Sequence, residues 1–192
     1  DGIIVKLGKS FSHVSLFNNN MLIAGSSALD KNVSNFAFEN SISGFEFLSC
    51  IPGTVGGALR MNSGCYEHDI SKILKSVQVM DLNGSVRIIY VKDIKFTYRN
   101  CDLDNNFIFI SATFEGKRKE KKTIQKYMNT LIKKKKKDQP SKIKTCGSTF
   151  KNPKNNKAWK LIKDAGCSKM KVGGAFVSEK HCNFFVNKGN AK

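Results

Sequence analysis

Ile51-Pro52-Gly53-Thr54-Val55-Gly56-Gly57-Ala58-Leu59-Arg60-Met61-Asn62-Ser63-Gly64 is a run of glycine and small residues that follows neither a helical nor a strand period. Glycine lets main-chain N–H groups come close to an anion, because no Cβ stands in the way. Gly56 and Gly57 are placed to open a helix whose first turn faces a phosphate. The spacing matches neither the dinucleotide fingerprint nor the Walker loop, so on spacing alone a structural turn is the better reading.

Working outward, residues 3–7 and 21–24 read as short strands. Ser26 and Ser27 are placed to cap a helix beginning near Ala28. Leu29, Val33, Phe36 and Ala37 then recur at helical spacing as far as Asn40. Downstream, Val77 and Val79 alternate with polar neighbours, Asn83-Gly84 is a turn signal and Val86 to Val91 runs back, which predicts a β-hairpin. Phe107 to Glu115 predicts another strand. Residues 117–138 carry Ile124, Tyr127, Met128, Leu131 and Ile132 on one helical face, and Gln139-Pro140 ends that helix. Trp159, Leu161, Ile162 and Ala165 predict a short helix closed by Gly166, and strands follow at 172–177 and 183–187.

The chain has 192 residues, 40% of them hydrophobic, and a formal net charge of +18. That charge raises a nucleic-acid or anionic-lipid partner. Only four of its 33 basic residues are Arg, however: Arg60, Arg87, Arg99 and Arg118. Base readers rely on the bidentate arginine fork, and the run Lys133 to Lys137 has little aromatic interleaving to stack bases. A solvated helix face and no specific nucleic acid are the expectation. No apolar stretch is long enough to cross a bilayer, and the first residues lack a leader pattern, so no membrane insertion and a cytoplasmic location are expected. Six single cysteines (Cys50, Cys65, Cys101, Cys146, Cys167 and Cys182) contain no CxxC pair. No metal is expected, and mostly buried thiols outside disulfides are.

Gly44-Phe45-Glu46-Phe47-Leu48, the Ile51–Gly57 run and Met61-Asn62 resemble the cofactor-binding core of the UDP-N-acetylenolpyruvoylglucosamine reductase family. The resemblance continues in order through Phe96-Thr97-Tyr98-Arg99, Gln139-Pro140, Gly147-Ser148-Thr149-Phe150-Lys151-Asn152-Pro153, Ala165-Gly166, Gly173-Gly174-Ala175, Val177-Ser178-Glu179 and His181-Cys182-Asn183-Phe184. It implies an α+β fold. A vanillyl-alcohol-oxidase/PCMH-type FAD-binding domain would occupy residues 1–118, a linking helix 119–138 and a smaller α+β substrate-binding domain 139–192.

The same resemblance implies FAD as cofactor, NADPH as co-substrate and the enolpyruvyl ether of a UDP-sugar as substrate, in a reductive step of peptidoglycan synthesis. Ile51, Pro52, Gly53, Thr54, Gly56, Gly57, Asn62 and Gly64 would bind the cofactor. Arg99 would stabilise an enolate-like intermediate and Ser148 would protonate it. Tyr98, Lys151 and Asn152 would bind substrate. The chain departs from the family pattern at Cys50, Cys65 and Cys182, and at Cys167-Ser168-Lys169 where the family carries Leu-Lys-Gly. The family's upstream Gly-Ser-Asn segment would precede Asp1 and its catalytic Glu would follow Lys192. The chain therefore reads as incomplete at both ends, with a truncated, non-catalytic remnant as the alternative.

Overall fold

The structure, a computed structural model, describes residues 4–140, 143–189 and 191. It forms two compact units, Asp1–Ile132 and Lys133–Lys192. The first contains β1 (Val14–Leu16), β2 (Met21–Gly25), α1 (Asp30–Glu39), β3 (Ile42–Ser43), α2 (Val55–Arg60), β4 (Gly64–Cys65), β5 (His68–Asp69) and β6 (Leu74–Met80). It continues with β7 (Val86–Tyr90), β8 (Phe96–Thr97), β9 (Asn100–Cys101), β10 (Ile108–Glu115), β11 (Lys117–Arg118) and most of α3 (Lys121–Asp138).

Five strands make one antiparallel sheet in the order β1-β2-β10-β6-β7. Its buried face is set by Leu22 and Ala24 on β2, Leu74, Val77 and Val79 on β6, and Phe109, Ala112 and Phe114 on β10. The spacing of three inside β6 and β10 breaks the strand period of two. The cause is a pair of register shifts, one between Phe109 and Ser111 and one between Thr113 and Phe114. Each inserts one unpaired residue, so the apolar side chains return to the core face after a step of three. The first shift also turns the Ile110 carbonyl outward to accept the Ser26 N–H at 2.9 Å, which attaches the segment leading into α1.

Above this sheet, Phe45 meets Phe114 edge to face (centroids 6.3 Å apart), and Phe47, Leu48, Leu59 and Ile70 complete the core. Glu46 is buried but satisfied: Ser43 Oγ and the Gly44 N–H each donate to its carboxylate at 2.7 Å. On α3, Ile124, Met128 and Leu131 are buried at helical spacing, while most of the Lys133–Lys137 run is exposed.

The second unit holds the end of α3, α4 (Ala158–Asp164), β12 (Lys171–Val172), β13 (Ala175–Val177) and β14 (Phe185–Asn187). The three strands form one antiparallel sheet in chain order. Ala158, Val177, Phe184 and Val186 are its buried apolar residues. Gly166 closes α4 at φ 73°, a conformation in which a Cβ costs energy.

Several sequence expectations are corrected. Ile3 lies outside the described residues, and residues 4–7 form no strand: Ile4 and Val5 are 96% and 75% exposed. The edge strand is β1 instead, which pairs with β2 through Val14–Ala24 to Leu16–Leu22. α1 begins at Asp30, with Leu29 at the cap position and no side-chain cap, because Ser26 and the residues after it are engaged with neighbouring main chain. Residues 172–177 are two strands rather than one, separated by a turn at Gly173, whose φ of 55° an extended strand does not permit. None of the six cysteines is in a disulfide. Only Cys50 and Cys101 are buried, three others are half-buried and Cys146 is exposed, since the later thiols lie in a unit with a small core.

Candidate functional site

The glycine-rich stretch folds as a loop leading into the six-residue α2. Main-chain bonds fasten it to the segment before α1: Val55 N–H to the Ala28 carbonyl (2.9 Å), Gly56 N–H to the Ser26 carbonyl (2.9 Å) and Asp30 N–H to the Gly53 carbonyl (3.0 Å). The Gly56 amide, expected to face a phosphate, is therefore engaged within the protein. A Cβ on Gly56 would lie 3.2 Å from Ser26 Cβ, a tight contact that the Ser26 segment would have to yield to. A Cβ on Gly64 would lie 2.1 Å from the His68 carbonyl oxygen inside the β4–β5 hairpin. Gly57 differs. It is exposed, and a Cβ there would meet only Thr54 Oγ1 at 3.8 Å. Of the predicted cofactor residues, Ile51 is half-buried against the core, Pro52 is exposed, and Gly53 and Thr54 are half-buried.

The far end of the stretch meets the predicted catalytic Arg. Arg99 and Tyr98 form the two-residue turn between β8 and β9. Arg99 donates from Nη1 to the Asn62 carbonyl (3.3 Å) and from Nη2 to the Gly64 carbonyl (2.5 Å), and its guanidinium lies 5.0 Å from the centroid of the exposed Tyr98 ring. Asn62 is buried and returns the contact, donating from Nδ2 to the Thr97 carbonyl at 3.1 Å while its Oδ1 accepts the Ser71 N–H at 3.2 Å. Arg99 has φ 55°, a backbone region that turns reserve for Gly or Asn and that costs other residues about 1–2 kcal/mol. The tight turn between β8 and β9 imposes that conformation, and two carbonyls fix the guanidinium. Arg60, by contrast, serves the fold: it lies over the Phe109 ring (4.9 Å) and donates to the carbonyls of Leu103, Asp104 and Phe107.

In the second unit, exposed Ser148 forms an isolated antiparallel bridge with Phe184. Lys151 is exposed, and Asn152 Oδ1 accepts the Ala158 N–H at 3.0 Å, holding the first turn of α4. Two departures from the expected pattern meet here: Cys182 Sγ donates to Ser168 Oγ at 3.5 Å. Among the described residues, no group of three or more His, Cys, Asp or Glu could hold a metal ion, and no helix is long and apolar enough to cross a membrane.

Residues 1–90 match the FAD binding domain family, and residues 139–192 match the C-terminal domain of UDP-N-acetylenolpyruvoylglucosamine reductase. The UDP-N-acetylenolpyruvoylglucosamine reductase of Pelagibacter ubique is 51% identical over 100% of this chain, and that of Wolbachia pipientis wMel is 42% identical over 99%. The chain spans 64% and 65% of the length of these two relatives. The crystal structure of UDP-N-acetylenolpyruvylglucosamine reductase from Thermus caldophilus superposes with a TM-score of 0.88 at 30% identity, over 97% of this chain and 68% of that one. The chain belongs to the UDP-N-acetylenolpyruvoylglucosamine reductase family. Its fold is accordingly α+β, an FAD-binding domain followed by the reductase family's C-terminal domain.

The residues present fit the FAD of this reductase family. Gly57 leaves open space on the loop, and beneath the loop lie Ser26 Oγ and both carboxyl oxygens of Asp30, buried atoms with no hydrogen-bond partner. Asp30 Oδ2 is 3.0 Å from where a Cβ on Gly53 would sit. A polar floor left unsatisfied under a glycine loop is unusual in a native core. Sequence reading did not single out Asp30. Its register with buried Val33 and Ala37 was the available signal.

Burial pushes the Asp30 carboxyl up to about 7, from an ordinary value of 3.8. The folded state thus keeps this proton up to near neutral pH, whereas the unfolded chain releases it near pH 4. Between those values the unfolded state binds fewer protons, so stability falls as pH rises and levels off above about pH 7. Replacing Asp30 with Asn removes the charge. The stability advantage of Asp30→Asn over the parent should grow by about 3 kcal/mol between pH 5 and pH 8. Urea unfolding at both pH values measures it, and a pH-independent difference would exclude a buried, proton-linked Asp30.

Proposed function

We propose that this chain is the flavin- and substrate-binding part of an enzyme that reduces the enolpyruvyl ether of UDP-N-acetylglucosamine to UDP-N-acetylmuramate, using NADPH, in peptidoglycan synthesis. The single observation that carries the reading is the fixing of the Arg99 guanidinium on the end of the glycine-rich stretch. It joins a cofactor loop to a cation in one rigid piece. FAD, when bound, carries the hydride from NADPH to the substrate double bond.

The chain's own residues supply the rest. Ile51, Pro52, Gly53, Thr54, Gly56, Gly57, Asn62 and Gly64 shape the cofactor loop, with Gly57 as its open point. Arg99 holds the substrate carboxylate and stabilises the charge that builds on it once hydride has added to the neighbouring double bond. Ser148 then transfers its hydroxyl proton to the carbon bearing that carboxylate and recovers one from solvent. Tyr98, Lys151 and Asn152 border the substrate. In this reading residues 1–118 hold the flavin, 119–138 link, and 139–192 bind the sugar nucleotide. A cytoplasmic location and roles in cell shape and division accompany it, because the sugar nucleotide is a cytoplasmic wall precursor. No specific nucleic-acid partner is proposed.

The test uses a chimera in which the remaining third of the Pelagibacter relative flanks this chain. Mass spectrometry should show NADPH-dependent conversion of the enolpyruvyl ether to a product two hydrogens heavier. Arg99→Lys, which keeps the charge but loses the fork, should lower turnover by about 10²–10³-fold. Turnover unchanged in Arg99→Lys would remove Arg99 from the chemistry.

A further inference from the structure

The loop that carries Ser148 is largely exposed, with Phe150 edge to face on Phe185 at 5.8 Å. Ser148, Thr149 and Phe150 are exposed, and Gly147, at φ 87°, has nothing within 4 Å of the place a Cβ would take. A buried side chain two strands away in sequence fixes it. The Phe150 N–H donates to Asn183 Oδ1 at 2.9 Å, and Asn183 Nδ2 donates back to the Phe150 carbonyl at 2.8 Å. The main chain adds a third bond, Thr149 N–H to the Asn183 carbonyl at 2.9 Å. Asn183 is only 3% exposed, and its neighbour Phe184 is the bridge partner of Ser148.

Asn183 is itself held. Its N–H donates to His181 Nδ1 at 3.2 Å, and the His181 ring packs edge to face on Phe184 at 4.8 Å. Burial lowers the basicity of His181, against the opposing pull of its own backbone hydrogen bond and of the Asp138 carboxylate. A side-chain amide carries a donor and an acceptor in one plane, so it can imitate the two-way pairing of a strand partner. A hydroxyl or an apolar side chain cannot.

We propose that Asn183 is a positioning residue: its amide clamps the main chain of Phe150 and so sets where the Ser148 hydroxyl lies relative to the substrate. The inference rests on the reading of Ser148 as proton donor. Reduction of bound flavin by NADPH does not use Ser148, whereas reoxidation by the enolpyruvyl substrate does. A positioning role therefore affects one half-reaction and spares the other, while a merely structural role affects both.

The experiment compares Asn183→Ala, Asn183→Asp and Ser148→Ala in the flavin-loaded chimera by stopped-flow absorbance, together with amide exchange at Phe150. Asn183→Ala should slow reoxidation by about 10–100-fold, the scale of a small misplacement of a reacting group, with flavin reduction unchanged and Phe150 exchange accelerated. Asn183→Asp, which still accepts from the Phe150 N–H but has no donor for its carbonyl, should fall between Ala and the parent; it decides the matter if the Ala variant does not fold. Parent-like reoxidation in folded Asn183 variants, or equal slowing of both half-reactions, overturns the proposal while Ser148→Ala remains slow. If Ser148→Ala itself reoxidises at the parent rate, the role given to Ser148 fails and the proposal falls with it.

Discussion

Replacing Ser148 with Ala should slow reoxidation of the flavin by the enolpyruvyl substrate by about 10²–10⁴-fold and leave reduction of the flavin by NADPH at its parent rate. The asymmetry follows from position. Ser148 is exposed on a loop of the second unit, tied by the Phe184 bridge and by the Thr149 and Phe150 bonds to Asn183. Its removal takes away one hydroxyl and disturbs no core contact. An isolated serine is a weak acid, so the geometry of its loop has to supply what its acidity lacks. Stopped-flow traces resolve the two half-reactions separately. A parent-like reoxidation rate would exclude Ser148 as the proton donor.

The second large effect is expected at Gly57. A Cβ placed there meets Thr54 Oγ1 at an ordinary contact distance, so the Gly57→Asp chain should fold as the parent does. In the proposed reading a carboxylate at that point would face the pyrophosphate of the cofactor, and like charges brought together cost several kcal/mol, about a 100-fold or greater loss of flavin affinity. Val at Gly56 gives a different result, because a Cβ there presses on Ser26 Cβ and its carbonyl oxygen, at 3.2 and 3.3 Å. That variant should lose stability first and flavin as a consequence. Equilibrium dialysis with FAD, set beside urea unfolding, separates the two. Full flavin retention in Gly57→Asp would move the cofactor away from this face of the loop.

What could be read from the sequence was local. The β6–β7 hairpin followed from alternation and Asn83-Gly84, β10 from its apolar run, and the end of α4 from Gly166, each a signal held within a few residues. β1 was missed because nothing local distinguishes Val14–Leu16 from the more apolar residues before it, of which 4–7 form no strand. The bulges in the β6–β10 ladder were missed because pairing register is a property of two strands together. The site divides the same way. Arg99 and the glycine-rich stretch could be picked out as residues, but not that the guanidinium reaches Asn62 and Gly64, 37 and 35 positions away. The amide of Asn183 reaches Phe150 across 33. Asp30 was not singled out, because its burial depends on elements distant in sequence.

The most direct measurement of the central claim is the visible spectrum of the flavin-loaded chimera in one anaerobic sequence: NADPH is added first, then the enolpyruvyl ether of UDP-N-acetylglucosamine. The flavin absorbance should bleach with NADPH and return in full with the enolpyruvyl compound, one equivalent of substrate restoring one equivalent of flavin. Purification without flavin, or bleaching by NADPH that the enolpyruvyl compound does not reverse, would contradict it.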